Sequence, residues 1–209
     1  MIELTPAERR KAKLRQHIIE QATALYHANG GKEGGFEKTT IEGIAEQSDI
    51  SLRTFFRYFE SKTDVIYLDI KTSTEHLKMF VRNRPLDEPL LTAALNGRYE
   101  QIDFFLSDTA NKERLLRSLQ APQFQDRRII LRSEFNQCIL DFLTEESERG
   151  NPLSRSHARI ASSLIVDVVA DVLDDWALDT SIDVKSESMK ILESLPELSK
   201  LFKKAGVFS

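Results

Sequence analysis

The sequence predicts an all-α protein, and three observations carry that expectation. Apolar residues recur three and four positions apart through most of the 209 residues. The stretches patterned in this way open on capping residues and close on glycine or proline. No run of short alternating segments between turns suggests strands. With 41% apolar residues the chain can bury a substantial core, as one large domain or as a small domain joined to a larger one.

The elements follow in order. Thr5-Pro6-Ala7-Glu8 supplies a cap, a proline at the first helical position and an acid in the first turn. Leu14, Ile18, Ala22 and Leu25 then share one face, so a long amphipathic helix is expected to end near Asn29. Next comes "NGGKEGGFEKTT", residues 29–40, which holds four of the eight glycines. It does not fit the phosphate-cradling GxxxxGK[ST] pattern, because Lys32 is followed by Glu33 and a helix, not a strand, precedes it. Gly30 reads as a left-handed helix cap and the other glycines as linker, while Thr39-Thr40-Ile41-Glu42 reads as a capping box opening a short helix. Further helices are expected at Thr40 to Gln47, Leu52 to Tyr58, Lys62 to about Arg82, Glu88 to Leu106, Lys112 to Leu119, Pro122 to Arg149, Arg155 to Leu178 and Val184 to Leu192. Their breakers are Asn83-Arg84-Pro85, Gln120-Ala121-Pro122 and Gly150-Asn151-Pro152. Pro196 predicts a stop or kink near Ser194 and a short turn through Phe202.

Composition excludes several classes. There is no signal-like start, and Asp167 and Asp171 interrupt the most apolar runs far short of a membrane span, so a cytoplasmic protein is expected, with no membrane partner. Cys138 stands alone and reads as a packed hydrophobe. His17, His27, His76 and His157 are too scattered for a local metal site, and no HExxH or GxSxG occurs. No enzyme, metal or cofactor is expected. The net charge of -4 argues against a polyanionic partner until its distribution is considered: Arg9, Arg10, Lys11, Lys13 and Arg15 follow one another with no acid between them.

The segment that carries function is "TIEGIAEQSDISLRTFFRYF", residues 40–59. Ile41, Ile44 and Ala45 mark the inward face of one short helix, Ile50 plugs a tight break at Ser48-Asp49-Ile50, and Phe55 and Phe59 continue the apolar face into a second. Leu52, Arg53, Phe56 and Arg57 are left to point outward. This is the pattern of a helix-turn-helix, whose second helix enters the DNA major groove.

The stretch "TTIEGIAEQSDISLRTFFRYFESKTDV", preceded by a long helix, resembles the N-terminal domain of the TetR family of transcriptional regulators. The family pattern T-x-x-x-I-A-x-x-x-x-V-S-x-x-T-x-Y-x-x-F-x-x-K is met at Thr40, Ile44, Ala45, Ile50, Ser51, Thr54, Phe59 and Lys62. The likeness covers about residues 12–66. It departs at Asp49, where glycine is usual, at Arg53, where a small residue is common, and at Phe56 in place of tyrosine. Together the pattern and the resemblance imply DNA contacts from Thr39, Thr40, Ser51, Leu52, Arg53, Thr54, Phe56, Arg57, Tyr58 and Lys62. The hydroxyl of Tyr58 is assigned to phosphate by resemblance alone.

The expected organisation is a helix-turn-helix DNA-binding domain over residues 1–60 and a helical effector-binding and dimerisation domain over 61–209. In "RIASSLIVDVVADVLDDWA" the apolar positions span about 220° of a helix, wider than one neighbouring core needs. Ile160, Ile165, Val168, Val169, Val172 and Leu173 are therefore expected at a homodimer interface. The resemblance implies a small hydrophobic effector among the central helices, with Leu95, Tyr99, Ile102, Phe105, Leu131, Phe135, Cys138, Phe142 and Trp176 as candidate lining. Arg98, Arg132, Asn136 and His157 are possible polar anchors, each read first as solvated surface. The expected function is a ligand-responsive repressor binding an inverted-repeat operator in double-stranded DNA as a homodimer. The alternative is a helical ligand-binding or protein-interaction dimer that has lost DNA binding.

Overall fold

A computed structural model of the protein describes residues 5–145 and 153–204. Among them it forms helices α1 (Pro6–Ala28), α2 (Gly35–Lys38), α3 (Ile41–Gln47), α4 (Leu52–Tyr58), α5 (Lys62–Ile66) and α6 (Ile70–Arg82). These are followed by α7 (Leu90–Ser107), α8 (Thr109–Gln120), a 3-10 turn (Pro122–Phe124), α9 (Gln125–Glu145), α10 (Arg155–Leu178), α11 (Val184–Glu193) and α12 (Leu195–Lys204), with no strand among the described residues. The fold is all-α, as the periodicity requires. It divides into two compact units: Met1–Ile70 with Phe105–Ser118, and Lys71–Phe104 with Leu119–Ser209. The sequence boundary between residues 60 and 61 falls inside the first unit.

In the first unit α1 packs against α2, α3 and α5, and α3 against α4. Ile18, Ile19 and Ala22 of α1, Ile44 and Ala45 of α3, Phe55 of α4 and the following Phe59 are buried and form its core. Each fully buried isoleucine or phenylalanine contributes about 1.5–3 kcal/mol. The end of α1 is closed by a left-handed Gly30, φ 111°, with Gly31 N–H donating to the Tyr26 carbonyl at 2.9 Å and Gly30 N–H to that of His27 at 3.1 Å. The glycine-rich stretch is not all linker, since Gly35–Lys38 adds the single turn of α2.

The basic run on α1 divides by environment. Arg9, Arg10, Lys11 and Lys13 are exposed, whereas the half-buried Arg15 pairs with Asp69 at 3.2 Å and lies 4.7 Å from the Phe59 ring centroid.

One expected helix is two. The continuous stretch expected over residues 62–82 breaks at Tyr67, Leu68 and Asp69, between α5 and α6. The cause lies about fifty residues further along, on α8. Arg114 is 2% exposed and donates to the carbonyls of Asp64 (2.7 Å) and Tyr67 (2.6 Å). Arg117 donates to the Ile66 carbonyl (3.2 Å), and the Leu68 N–H donates to Ser118 Oγ (3.0 Å). Backbone groups that would have continued the helix are met by α8 instead. Burial, followed by the neighbouring guanidiniums of Arg15 and Arg117, draws Arg114 down to about 9.

In the second unit α10 packs against α9 and α11, and α11 against α12. Arg132 of α9 pairs with Asp167 (3.1 Å) and Asp171 (2.6 Å) of α10, and Arg128 pairs with Asp174. Gly97 of α7 is set by a close approach to α6, for a Cβ there would lie 2.7 Å from the Val81 backbone. Pro196 falls in the first turn of α12, where its missing N–H leaves no bond unmade, and the chain breaks at Ser194 as expected. The expected extension of α9 to Arg149 and the Gly150-Asn151-Pro152 breaker lie outside the described residues.

Candidate nucleic-acid interface

The interface is assembled by two capped helices joined through a tight turn. Thr40 caps α3, its Oγ1 accepting the Gly43 N–H at 3.0 Å. The cap is thus Thr40 and not Thr39 of the expected capping box. Thr39 is 0% exposed and its Oγ1 accepts from Asn29 Nδ2 at 3.1 Å, which removes it from the outward-facing set. The physical reason is register: one residue earlier, the side chain points back to the end of α1.

α3 closes on a left-handed Asp49, φ 53°, with Ile50 N–H donating to the Ala45 carbonyl (3.0 Å) and Asp49 N–H to that of Glu46 (3.1 Å). Aspartate tolerates this backbone better than most residues, so the turn survives without glycine. Ser51 then caps α4, its Oγ accepting the Thr54 N–H at 3.1 Å and lying 3.0 Å from Thr54 Oγ1.

α4 is held by Phe55, whose ring lies 5.8 Å from that of Phe59. Its other face is open. Ser51, Leu52 (42%), Arg53, Phe56 (54%) and Arg57 are exposed, and Thr54 and Tyr58 are half-buried. Arg57 rests 5.3 Å from the Tyr58 ring centroid, so its guanidinium is partly steered along the surface. Lys62 begins α5 after the Ser61 cap, and its Nζ donates to the Phe36 carbonyl at 2.6 Å while lying 4.2 Å from that ring. Lys62 therefore also ties α5 to α2, a role the sequence pattern does not signal.

Residues 18–66 match the profile of the bacterial regulatory proteins, tetR family. That segment is similar to the DNA-binding domain of the TetR family. HTH-type transcriptional regulator TcmR of Streptomyces glaucescens is 33% identical over 95 residues, 46% of this chain, and the match spans only 39% of TcmR. MftR of Mycobacterium tuberculosis is 23% identical over 177 residues, 84% of this chain and 86% of its own. Among solved structures, Thermus thermophilus FadR, a TetR family transcriptional repressor in complex with lauroyl-CoA, superposes with a TM-score of 0.53 at 20% identity. That superposition covers 88% of this chain and 93% of FadR, a likeness of fold.

The residues expected at the dimer and effector surfaces lie as follows. Of the dimer candidates, Ile165, Val169, Val172 and Leu173 are buried within the chain itself, because α9 and α11 both pack on α10 and cover most of its wide apolar face. Ile160 (61% exposed) and the half-buried Val168 remain open. Of the effector candidates, Tyr99, Ile102, Leu131, Phe135, Cys138, Phe142 and Trp176 are buried in the second unit, Leu95 is half-buried there, and Phe105 belongs to the first unit. A cleft of about 310 Å³ on α9 and α10 is lined by Ile129, Arg132, Ser133, Asn136, Gln137 and Asp167, and so includes two of the polar anchors but none of the apolar lining. His157 is exposed, whereas Arg98 is the reverse of its expected surface position, at 4% exposure.

Proposed function

We propose that this protein is a ligand-responsive transcriptional repressor that binds an inverted-repeat operator as a homodimer. The observation that carries the reading is the outward row on α4, where Leu52, Arg53, Phe56 and Arg57 face solvent while Phe55 fixes the helix from beneath. A single helix fits the major groove, about 12 Å wide. Arg53 and Arg57 present guanidinium forks suited to guanine or phosphate, and Phe56 and Leu52 present apolar surface to a thymine methyl or a sugar. Thr40, Ser51, Thr54, Tyr58 and Lys62 flank that row as backbone contacts, which fix register without reading sequence.

One such helix reads only a few base pairs, so two copies are required, with their reading helices about 34–36 Å apart in successive grooves. Ile160, Leu164 and Val168 recur four residues apart on α10, each at least partly open to solvent, and support a pairing surface for a second copy. The effector is assigned to the apolar interior of the second unit, around Tyr99, Ile102, Phe135 and Trp176. Lauroyl-CoA is the ligand of FadR, and a shared fold carries no ligand identity. Release of DNA then rests on the effector's preference for the non-binding spacing of the heads, a coupling of about 1–3 kcal/mol. No described helix is long and apolar enough to cross a membrane, in keeping with a regulator that meets the chromosome in the cytoplasm.

The test is a gel shift with duplex DNA from upstream of the protein's own gene, with and without cell extract. A retarded band that the extract releases is expected. No retardation at low ionic strength would sink the reading.

A further inference from the structure

A buried guanidinium is ordinarily matched by a carboxylate, because an uncompensated charge in a low-dielectric interior is costly. Three half-buried arginines of the second unit follow this rule: Arg84 meets Glu88 and Glu100, Arg128 meets Asp174, and Arg132 meets Asp167 and Asp171. Arg98, the buried one, does not. Its Nη1 donates to Gln101 Oε1, and its guanidinium carbon lies 4.6 Å from the Phe135 ring centroid. Its Nε is enclosed and has no hydrogen-bond partner among the described residues. The titratable group that acts on it is the Cys138 thiol, which burial pushes up to about 11 and so keeps neutral at pH 7. Burial draws Arg98 itself down to about 10, which leaves it cationic at pH 7.

Its setting is built rather than accidental. The Gln101 amide that accepts from Arg98 donates in turn to the Ser73 carbonyl of α6 at 2.6 Å, so the guanidinium plane is fixed from two helices. The Phe135 face stacks beside it, and Tyr99, Ile102 and Cys138 are buried in the same unit. The buried Arg114 of the first unit offers a contrast, since backbone carbonyls meet its Nε and Nη2. At Arg98 both the charge and a donor are left over.

We propose that Arg98 is the anchor of an anion site, and that the effector is an amphipathic organic acid whose carboxylate docks on the free Nε edge. The proposal rests on the effector part of the reading above and names its ligand chemistry. One buried positive charge matches a monoanion. The edge left by Gln101 suits the parallel hydrogen bonds of a carboxylate, and its fixed orientation lowers the ordering cost of binding. The apolar body of the acid is received by the aromatic and aliphatic side chains around it.

The test uses the full-length protein and three monocarboxylates as probes, benzoate, phenylacetate and decanoate, each beside its neutral primary amide. Binding is read by thermal melting and by the fluorescence of Trp176, the single tryptophan. At least one acid is expected to bind at least about tenfold tighter than its amide, a discrimination that Arg98→Met abolishes and Arg98→Lys retains in part. Ligand-free Arg98→Met is expected to melt roughly 3 °C or more above the parent, because it removes an unmatched charge. Acids and amides binding alike, no acid binding, or a lower melting point for Arg98→Met would each overturn the proposal. A duplex gel shift on the same wild-type sample separates the two readings: acid discrimination without DNA binding removes the repressor and keeps the anion site, and the reverse removes the anion site alone.

Discussion

Phe55 and Phe56 are adjacent and opposite in environment, one sealed in the core and the other 54% exposed, and this single step of about 100° separates holding α4 from using it. Arg57, on the open side, is expected to weaken operator binding by about 5- to 150-fold when replaced by alanine, and to lower the slope of log affinity against log salt by about one if its partner is a phosphate. A salt titration of the gel shift reads both. Cys138 gives a second residue-scale prediction. Its folded-state value is raised to about 11 by burial, so the stability linked to the protonated thiol is present below about pH 9 and is lost as the pH rises towards 11. Urea unfolding across that range should show a steeper loss in the parent than in Cys138→Ala. The native thiol should also react slowly with a disulfide reagent at pH 8 and fully in denaturant.

At the scale of elements, capped helices were legible because their signals are local: α4 and α10 have the bounds their caps and periodicity predict. The break after α5 was not legible, because the groups that make it, Arg114, Arg117 and Ser118, lie on α8. A charged residue in a helix reads as surface unless the distant groups that cover it are known, which is also why the burial of Arg98 against Phe135 is not legible in the sequence. Exposure on α10 failed for a related reason: periodicity gives the width of an apolar face but not how many neighbours share it. The exposed positions of α4 were legible from its apolar period, whereas the burial of Thr39 turns on cap register, which the sequence does not fix. Arg114→Met should cost about 2–4 kcal/mol in urea unfolding, since the carbonyls of Asp64 and Tyr67 lose their donors while the methionine keeps the volume.

For the whole molecule, the formal charge of -4 conceals a division of labour: exposed Arg9, Arg10, Lys11, Lys13, Arg53 and Arg57 lie in the first unit, and acids such as Asp167, Asp171 and Asp175 line α10 of the second. DNA attraction is therefore expected to be local to one unit and to fall steeply with salt. If Ile160 and Val168 form the pairing surface, the double change Ile160→Asp and Val168→Asp should shift sedimentation from dimer to monomer. It should also reduce operator affinity by more than any single α4 substitution, because both half-sites are lost as a unit.

The α8 clasp on residues 64–68 has a practical corollary for protein engineers. The reading head is stitched from two separate lengths of chain, so an excised fragment ending at residue 70 would lose the α8 donors to the carbonyls of Asp64, Ile66 and Tyr67. Grafting this head onto a foreign sensor would have to carry Phe105–Ser118 along with it.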